Sequence, residues 1–234
     1  MTAEPIKTIA FVLYPGLTLF DLVGPLQVIS ALNRLDPRFQ PVVVAENLEP
    51  MATDIGTPVL ADKIFADVPR PDVIVVPGGG EPTLRAMTNP AIRTYVRTAA
   101  QTADFVGSVC TGALILASVG LLNGRPATTH WAYKRVLESF GASYRRQRWV
   151  EDGKFIMSAG VSAGIDMGLY LTARLTDEET ARRVQLEIQY DPAPPHGRID
   201  YAKLGVLARV LRAVFSLRAP FLTARPKRLT AQGR

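Results

Sequence analysis

A chain of 234 residues, 47% apolar and 21% charged, suffices for one large globular domain, with or without a helical extension. No run approaches the roughly 18 uncharged apolar residues of a membrane span, Met1–Lys7 lacks the apolar core of a signal peptide, and a single cysteine cannot form an internal disulfide, so a cytoplasmic protein with no membrane partner is expected. The net charge of +6 does not mark a nucleic-acid binder, because eight of the 27 basic residues and none of the 21 acids fall in 201–234, leaving 19 basic against 21 acidic residues in 1–200.

Ile6–Leu13 is rich in branched residues and predicts a buried strand. Asp21–Leu35 has helical spacing at Leu22, Leu26, Ile29 and Leu32, with Asp21 as candidate cap. Gln40–Ala45 predicts a second strand, Met51–Leu60 an irregular or hairpin excursion, and Asp72–Val76 a third strand closed by Pro77–Gly80. A helix over Pro90–Gln101 precedes a fourth strand, Asp104–Val109, which runs into Cys110 and then into helix-like Ala113–Ala117. Beyond a turn at Asn123–Arg125 come Ala127–Thr129, a helix over Trp131–Phe140, and a hairpin over Arg148–Met157 turning at Glu151-Asp152-Gly153. Helices over Ile165–Leu175 and Glu178–Gln189 follow. Proline-rich Asp191–Gly197 separates this body from amphipathic Val206–Phe215, and from Ala219 onward the chain is expected to fray. The division is a body over 1–200 and a basic helix and tail over 201–234. Buried strands alternating with helices predict an α/β fold: an open, mostly parallel sheet sandwiched by helices, with ligands beyond the carboxyl ends of the strands.

Three features fall at those ends: the loop Tyr14–Asp21, the loop Pro77–Gly80, and Cys110. Cys110 lies between a strand and a helix start, with small Ser108 and Gly112 on either side, the logic of a nucleophile elbow carrying sulfur. The amides and dipole of the following helix would lower the thiol pKa; a buried, inert cysteine is the alternative. Asp21, among Leu19, Phe20 and Leu22, can stay protonated and pass a proton to sulfur, or only cap its helix. Gly78 and Gly79 can present amides to developing negative charge, or simply form a turn. Thr111 brings an amide and a hydroxyl beside the sulfur. His130 can form a dyad with Cys110 or be structural at its helix start. Gly160–Gly164 lacks a dinucleotide fingerprint and reads as a turn that lines the pocket, placing Gly160 and Val161 near the site. One cysteine and two distant histidines show no metal-ligand spacing, so no metal is expected.

Asp21-Leu22-Val23-Gly24-Pro25, Pro77-Gly78-Gly79, Ser108-Val109-Cys110-Thr111-Gly112 and Ala127-Thr128-Thr129-His130-Trp131 together resemble the ThiJ/PfpI superfamily, whose flavodoxin-like fold is shared with class I glutamine amidotransferases. The resemblance covers roughly residues 6–190, and Gly160–Asp166, Arg183–Glu187 and Tyr190–Pro195 make it most similar to the isocyanide hydratases within that superfamily. It implies a nucleophile at Cys110, an acid at Asp21, Thr111 as the residue after the nucleophile, a backbone donor at Gly79, and a homodimer shaped in part by the Tyr190 segment. PfpI-type peptidases carry histidine after the cysteine and glutamate in the first loop, where this chain has Thr111 and Asp21. Similar motifs occur in the sensing domains of AraC-type regulators, which add a DNA-binding half of roughly 100 residues; about 30 residues follow Asp200 here, so no nucleic-acid partner is expected. The implied activity is hydration of an isocyanide to an N-substituted formamide through a cysteine thioimidate, without a cofactor. The alternatives are a glyoxalase-like enzyme, a redox-sensing cysteine and a ligand-sensing module.

Overall fold

Branched apolar residues concentrate in a few short runs, and in the computed structural model, which describes residues 5–203 and 205–232, these runs form the centre of one sheet. In chain order the strands are β1 (Lys7–Val12), β2 (Phe39–Ala45), β3 (Met51–Ala52), β4 (Pro58–Val59), β5 (Lys63–Ile64), β6 (Val73–Val76), β7 (Phe105–Val109), β8 (Pro126–Ala127), β9 (Ser143–Tyr144), β10 (Trp149–Asp152) and β11 (Phe155–Ser158). Seven of them make a sheet in the order β10-β11-β7-β6-β1-β2-β5, parallel throughout except for the β10–β11 hairpin. All four residues of β6 are buried, as a central strand covered on both faces requires.

The helices are α1 (Leu19–Leu35), α2 (Glu81–Ala86), α3 (Pro90–Thr102), α4 (Gly112–Ser118), α5 (Lys134–Glu138), α6 (Ala163–Leu175), α7 (Glu178–Glu187) and α8 (Val206–Gln232). Helices α1, α6 and α7 pack together, while α4 packs against α2, α3, α5 and α8. The closeness of α1 and α6 depends on Gly168, where a Cβ would stand 3.0 Å from Val28 Cβ. From β1 the chain crosses to β2 on one side, and from β6 it crosses to β7 on the other. The crevice between β1 and β6 is therefore a topological switch point, the place where open α/β sheets hold ligands.

Most expected elements occur, and the departures have local causes. Helix α1 starts at Leu19 rather than Asp21, behind Thr18. Its first amide is capped from a distance by Asp54, which accepts from Leu19 N–H at 2.9 Å. Asp21 is thus not the cap. Of Ala127–Thr129 only Ala127 is strand, in β8 with Pro126 and paired with the unanticipated β9. The helix expected over Trp131–Phe140 is a 3-10 turn at Trp131–Tyr133 followed by α5. Edge strand β5 and helix α2 were not foreseen. The expected fraying after Ala219 does not occur: α8 stays helical to Gln232 because its end docks on the body. There Pro226 is buried, the Thr230 hydroxyl donates to the Ser118 carbonyl, and Arg93 donates to Thr230 at 3.0 Å. No helix among the described residues is long and apolar enough to cross a membrane.

Candidate active site

Strand β7 ends at Val109 and α4 begins at Gly112, so Cys110 and Thr111 form the entire connection. Cys110 takes the left-handed conformation, φ 56°, which an L side chain rarely adopts and which costs about 1–3 kcal/mol. Two hydrogen bonds hold it there: its N–H donates to the Ser158 carbonyl of β11 at 3.1 Å, and its carbonyl accepts from the Thr129 hydroxyl at 2.9 Å. The bend also needs Gly112, because a Cβ there would stand 2.0 Å from the Val76 carbonyl oxygen and 2.9 Å from Pro77 backbone. Neither obstacle is a side chain that can swing away. Gly112→Ala is therefore expected to destabilise the fold by about 3 kcal/mol or more, read as a lower thermal midpoint; an unchanged midpoint would contradict this account of the elbow.

Asp21 sits in the first turn of α1 and is wholly buried. Gly78 N–H donates to its Oδ2 at 3.1 Å, while Oδ1 is buried without a formed hydrogen bond. The carboxyl and the Cys110 thiol nevertheless influence each other's acidity as side-chain neighbours, the loose geometry common before a substrate is bound. Burial pushes the Asp21 carboxyl up to about 7, against weaker opposing effects from Cys110 and the Gly78 amide. An orphaned buried carboxyl oxygen of this acidity is a natural seat for a proton.

The thiol does not match the expectation of a lowered pKa. Burial pushes it well up, the charge of Asp21 pushes it further, and the Thr111 amide at the head of α4 opposes both only in part. Cys110 and Asp21 are thus a coupled pair in which ionising one hinders ionising the other. The glycine loop also differs from a set of free donors. Gly78 N–H is held by Asp21, and the Gly79 and Gly80 amides each donate to the Thr111 hydroxyl oxygen at 3.0 Å. A Cβ at Gly78 would lie 2.6 Å from Thr111 N and 2.7 Å from Asp21 Oδ2, so the loop backbone presses directly on both residues.

His130 is near but differently occupied: its Nδ1 accepts from Ala132 N–H at 3.4 Å, capping the 3-10 turn, and burial lowers its pKa so that it remains neutral. The groups that set Cys110 acidity are Asp21 and Thr111, not His130. Gly160 and Val161 follow β11, the strand beside β7. Gly160 has open space where a Cβ would point, and Val161 packs against the core.

The DJ-1/PfpI family model matches residues 7–174. The chain belongs to the DJ-1/PfpI family. It is 40% identical over 188 residues to the isonitrile hydratase of Pseudomonas putida, covering 80% of each chain. It is 30% identical over 205 residues to the transcriptional regulator CdhR of Pseudomonas aeruginosa, covering 85% of this chain and 59% of that protein. A crystal structure of a ThiJ/PfpI family protein from Pseudomonas syringae superposes with a TM-score of 0.82 at 32% identity, covering 97% of this chain and 91% of the other.

Within this DJ-1/PfpI site, several contributors escaped the sequence reading. Tyr133 is 6% exposed and faces the thiol closely enough that burial, Cys110 and Glu81 push its pKa up to about 12. Asp54 both caps α1 and raises the Asp21 pKa. Arg148 steadies the loop after β11 by donating to Asp166 at 2.7 Å and to the Ser162 carbonyl at 3.1 Å. None carries a local sequence signal, since each acts across the fold. Two cavities of about 480 and 420 Å³ lie elsewhere, one lined by Phe140, Lys227 and Thr230, the other by Arg38, Asp177 and Arg183. Cys110 itself is 6% exposed. Among the described residues no cluster of three or more histidine, cysteine, aspartate or glutamate side chains is placed to hold a metal.

Proposed function

We propose that this chain is an isocyanide hydratase acting through Cys110 and Asp21. The observation carrying this reading is the buried carboxyl of Asp21, raised to about 7, beside a thiol held on a strained elbow. Hydration needs one group that gives a proton and then takes one back, and a carboxyl titrating near neutrality does both. The Asp21 carboxylate first takes the thiol proton; as the sulfur then bonds to the terminal isocyanide carbon, Asp21 passes this proton to that carbon, giving the neutral thioimidate R–N=CH–S–Cys. Asp21, now a carboxylate, takes a proton from the water whose oxygen bonds to the same carbon and delivers it to nitrogen. It then removes the hydroxyl proton as the C–S bond breaks, releasing R–NH–CHO, and returns that proton to the sulfur, restoring the thiol and the carboxylate. The Thr111 amide is the donor turned toward the sulfur; on this reading Gly78 and Gly79 position Asp21 and Thr111.

Similarity to the P. putida isonitrile hydratase supports the reading, and the low exposure of the Cys110 side chain suits a slim –N≡C head better than a bulky acyl group. A thiol held protonated by burial is also a poor peroxide sensor, since oxidation begins from the thiolate. The homodimer and the cytoplasmic setting belong to the same proposal. Incubating the protein with a panel of alkyl and aryl isocyanides and, separately, with methylglyoxal is expected to yield formamides from the first and no lactate from the second. Lactate formation without any formamide would replace the hydratase reading with a glyoxalase-like one.

A further inference from the structure

Tyr14 and Thr83 take no part in the chemistry above, yet they complete a buried chain of hydroxyls that begins at the active site. They are 2% and 0% exposed. The Tyr14 hydroxyl lies 2.9 Å from the Pro77 carbonyl, and because a carbonyl only accepts, the single Tyr14 proton is placed there. The Thr83 hydroxyl, 3.1 Å from Tyr14, must then donate to it. That leaves the Thr83 oxygen to accept from Thr111 at 2.8 Å. Thr111 completes its set by accepting the Gly79 and Gly80 amides at 3.0 Å each. Donation to that one carbonyl favours a single set of directions along the chain, in which the Thr111 proton goes to Thr83; the same hydroxyl also reaches the Cys110 sulfur, where its donation would lower the thiol pKa.

We propose that Thr83 and Tyr14 are positioning residues that withhold the Thr111 hydroxyl proton from the Cys110 sulfur and keep Thr111 as the clamp for the Gly79 and Gly80 amides. This rests on Cys110 being the reactive thiol, as in the proposed function, and not on an isocyanide being its substrate. The consequence is a division of labour. Asp21 is then the side chain left to exchange a proton with the sulfur, and the thiol stays protected until that carboxyl acts. A Thr111 hydroxyl donating to sulfur would favour a standing thiolate open to any passing electrophile.

Thr83→Val keeps the volume of the side chain and removes the acceptor of the Thr111 proton, which then turns to the sulfur. Alkylation of Cys110 by iodoacetamide, followed across pH by intact-protein mass, is expected to shift its midpoint down by about one pH unit. The rate at pH 7 should rise about threefold, less than tenfold because a less basic thiolate is a weaker nucleophile. Thr83→Ala should shift the midpoint the same way, and Thr83→Ser, which restores the hydroxyl, should return it to that of the parent protein. A folded Thr83→Val or Thr83→Ala protein with an unshifted midpoint, or a Thr83→Ser protein shifted as far as these, would overturn the proposal. Loss of the hydratase reading with the shift intact would leave the proposal standing.

Discussion

Cys110→Ser is expected to lower turnover of a simple isocyanide by about ten-thousand-fold or more, with the fold intact. The substitution keeps the elbow and Asp21, and changes only the attacking atom. A serine hydroxyl is far less acidic than even a thiol whose pKa is raised by burial. Asp21, at about 7, is too weak a base to ionise it. His130 does not offer the needed activation, because it is capping its own turn and its Nδ1 is engaged. Formamide release measured by chromatography, alongside a thermal melt, checks this. Activity within tenfold of the parent would remove the covalent route.

Asp21→Asn is expected to cost about a hundred- to ten-thousand-fold in activity and, in the same protein, to raise stability at alkaline pH. The folded state lifts the carboxyl from 3.8 to about 7 and so binds its proton more tightly than the unfolded chain does. Its contribution to stability is complete below about pH 4 and is lost as pH rises through about 7. At pH 8 the parent protein buries a carboxylate and the asparagine variant buries a neutral amide. The variant should be more stable there by on the order of 2–4 kcal/mol, with the advantage gone at pH 4. The parent kcat/KM should fall below about pH 7, where a protonated Asp21 can no longer take the thiol proton. Melting curves of both proteins at the two pH values test the shift directly, and a difference independent of pH would mean that Asp21 is not held in its protonated form.

The parts of this site that were legible in the sequence are those built from local rules. Val73–Val76 and Phe105–Val109 announce buried strands by composition, and the small residues around Cys110 announce the elbow. Asp21 was found for a residue type that suits two jobs, and only tertiary structure chose between them: Asp54 supplies the cap from the β3–β4 hairpin, freeing Asp21 to face the thiol. The glycine loop was visible, but not where its amides go, since Thr111 is more than thirty positions away. Tyr14 and Thr83 are 69 residues apart, and no periodicity joins them. Helix α8 runs past Pro220 and Pro226, residues that locally argue for a break, with Pro226 buried and Thr230 hydrogen-bonded to the body.

The most direct test of the Cys110–Asp21 chemistry is rapid mixing of the protein with excess isocyanide, acid quenching, and intact-protein mass spectrometry. The proposed mechanism predicts an added mass equal to one isocyanide, localised to Cys110, that decays into formamide in the parent protein, persists in Asp21→Asn once formed, and is absent from Cys110→Ala. Formamide produced by Cys110→Ala at the parent rate, with no adduct in any variant, would contradict it.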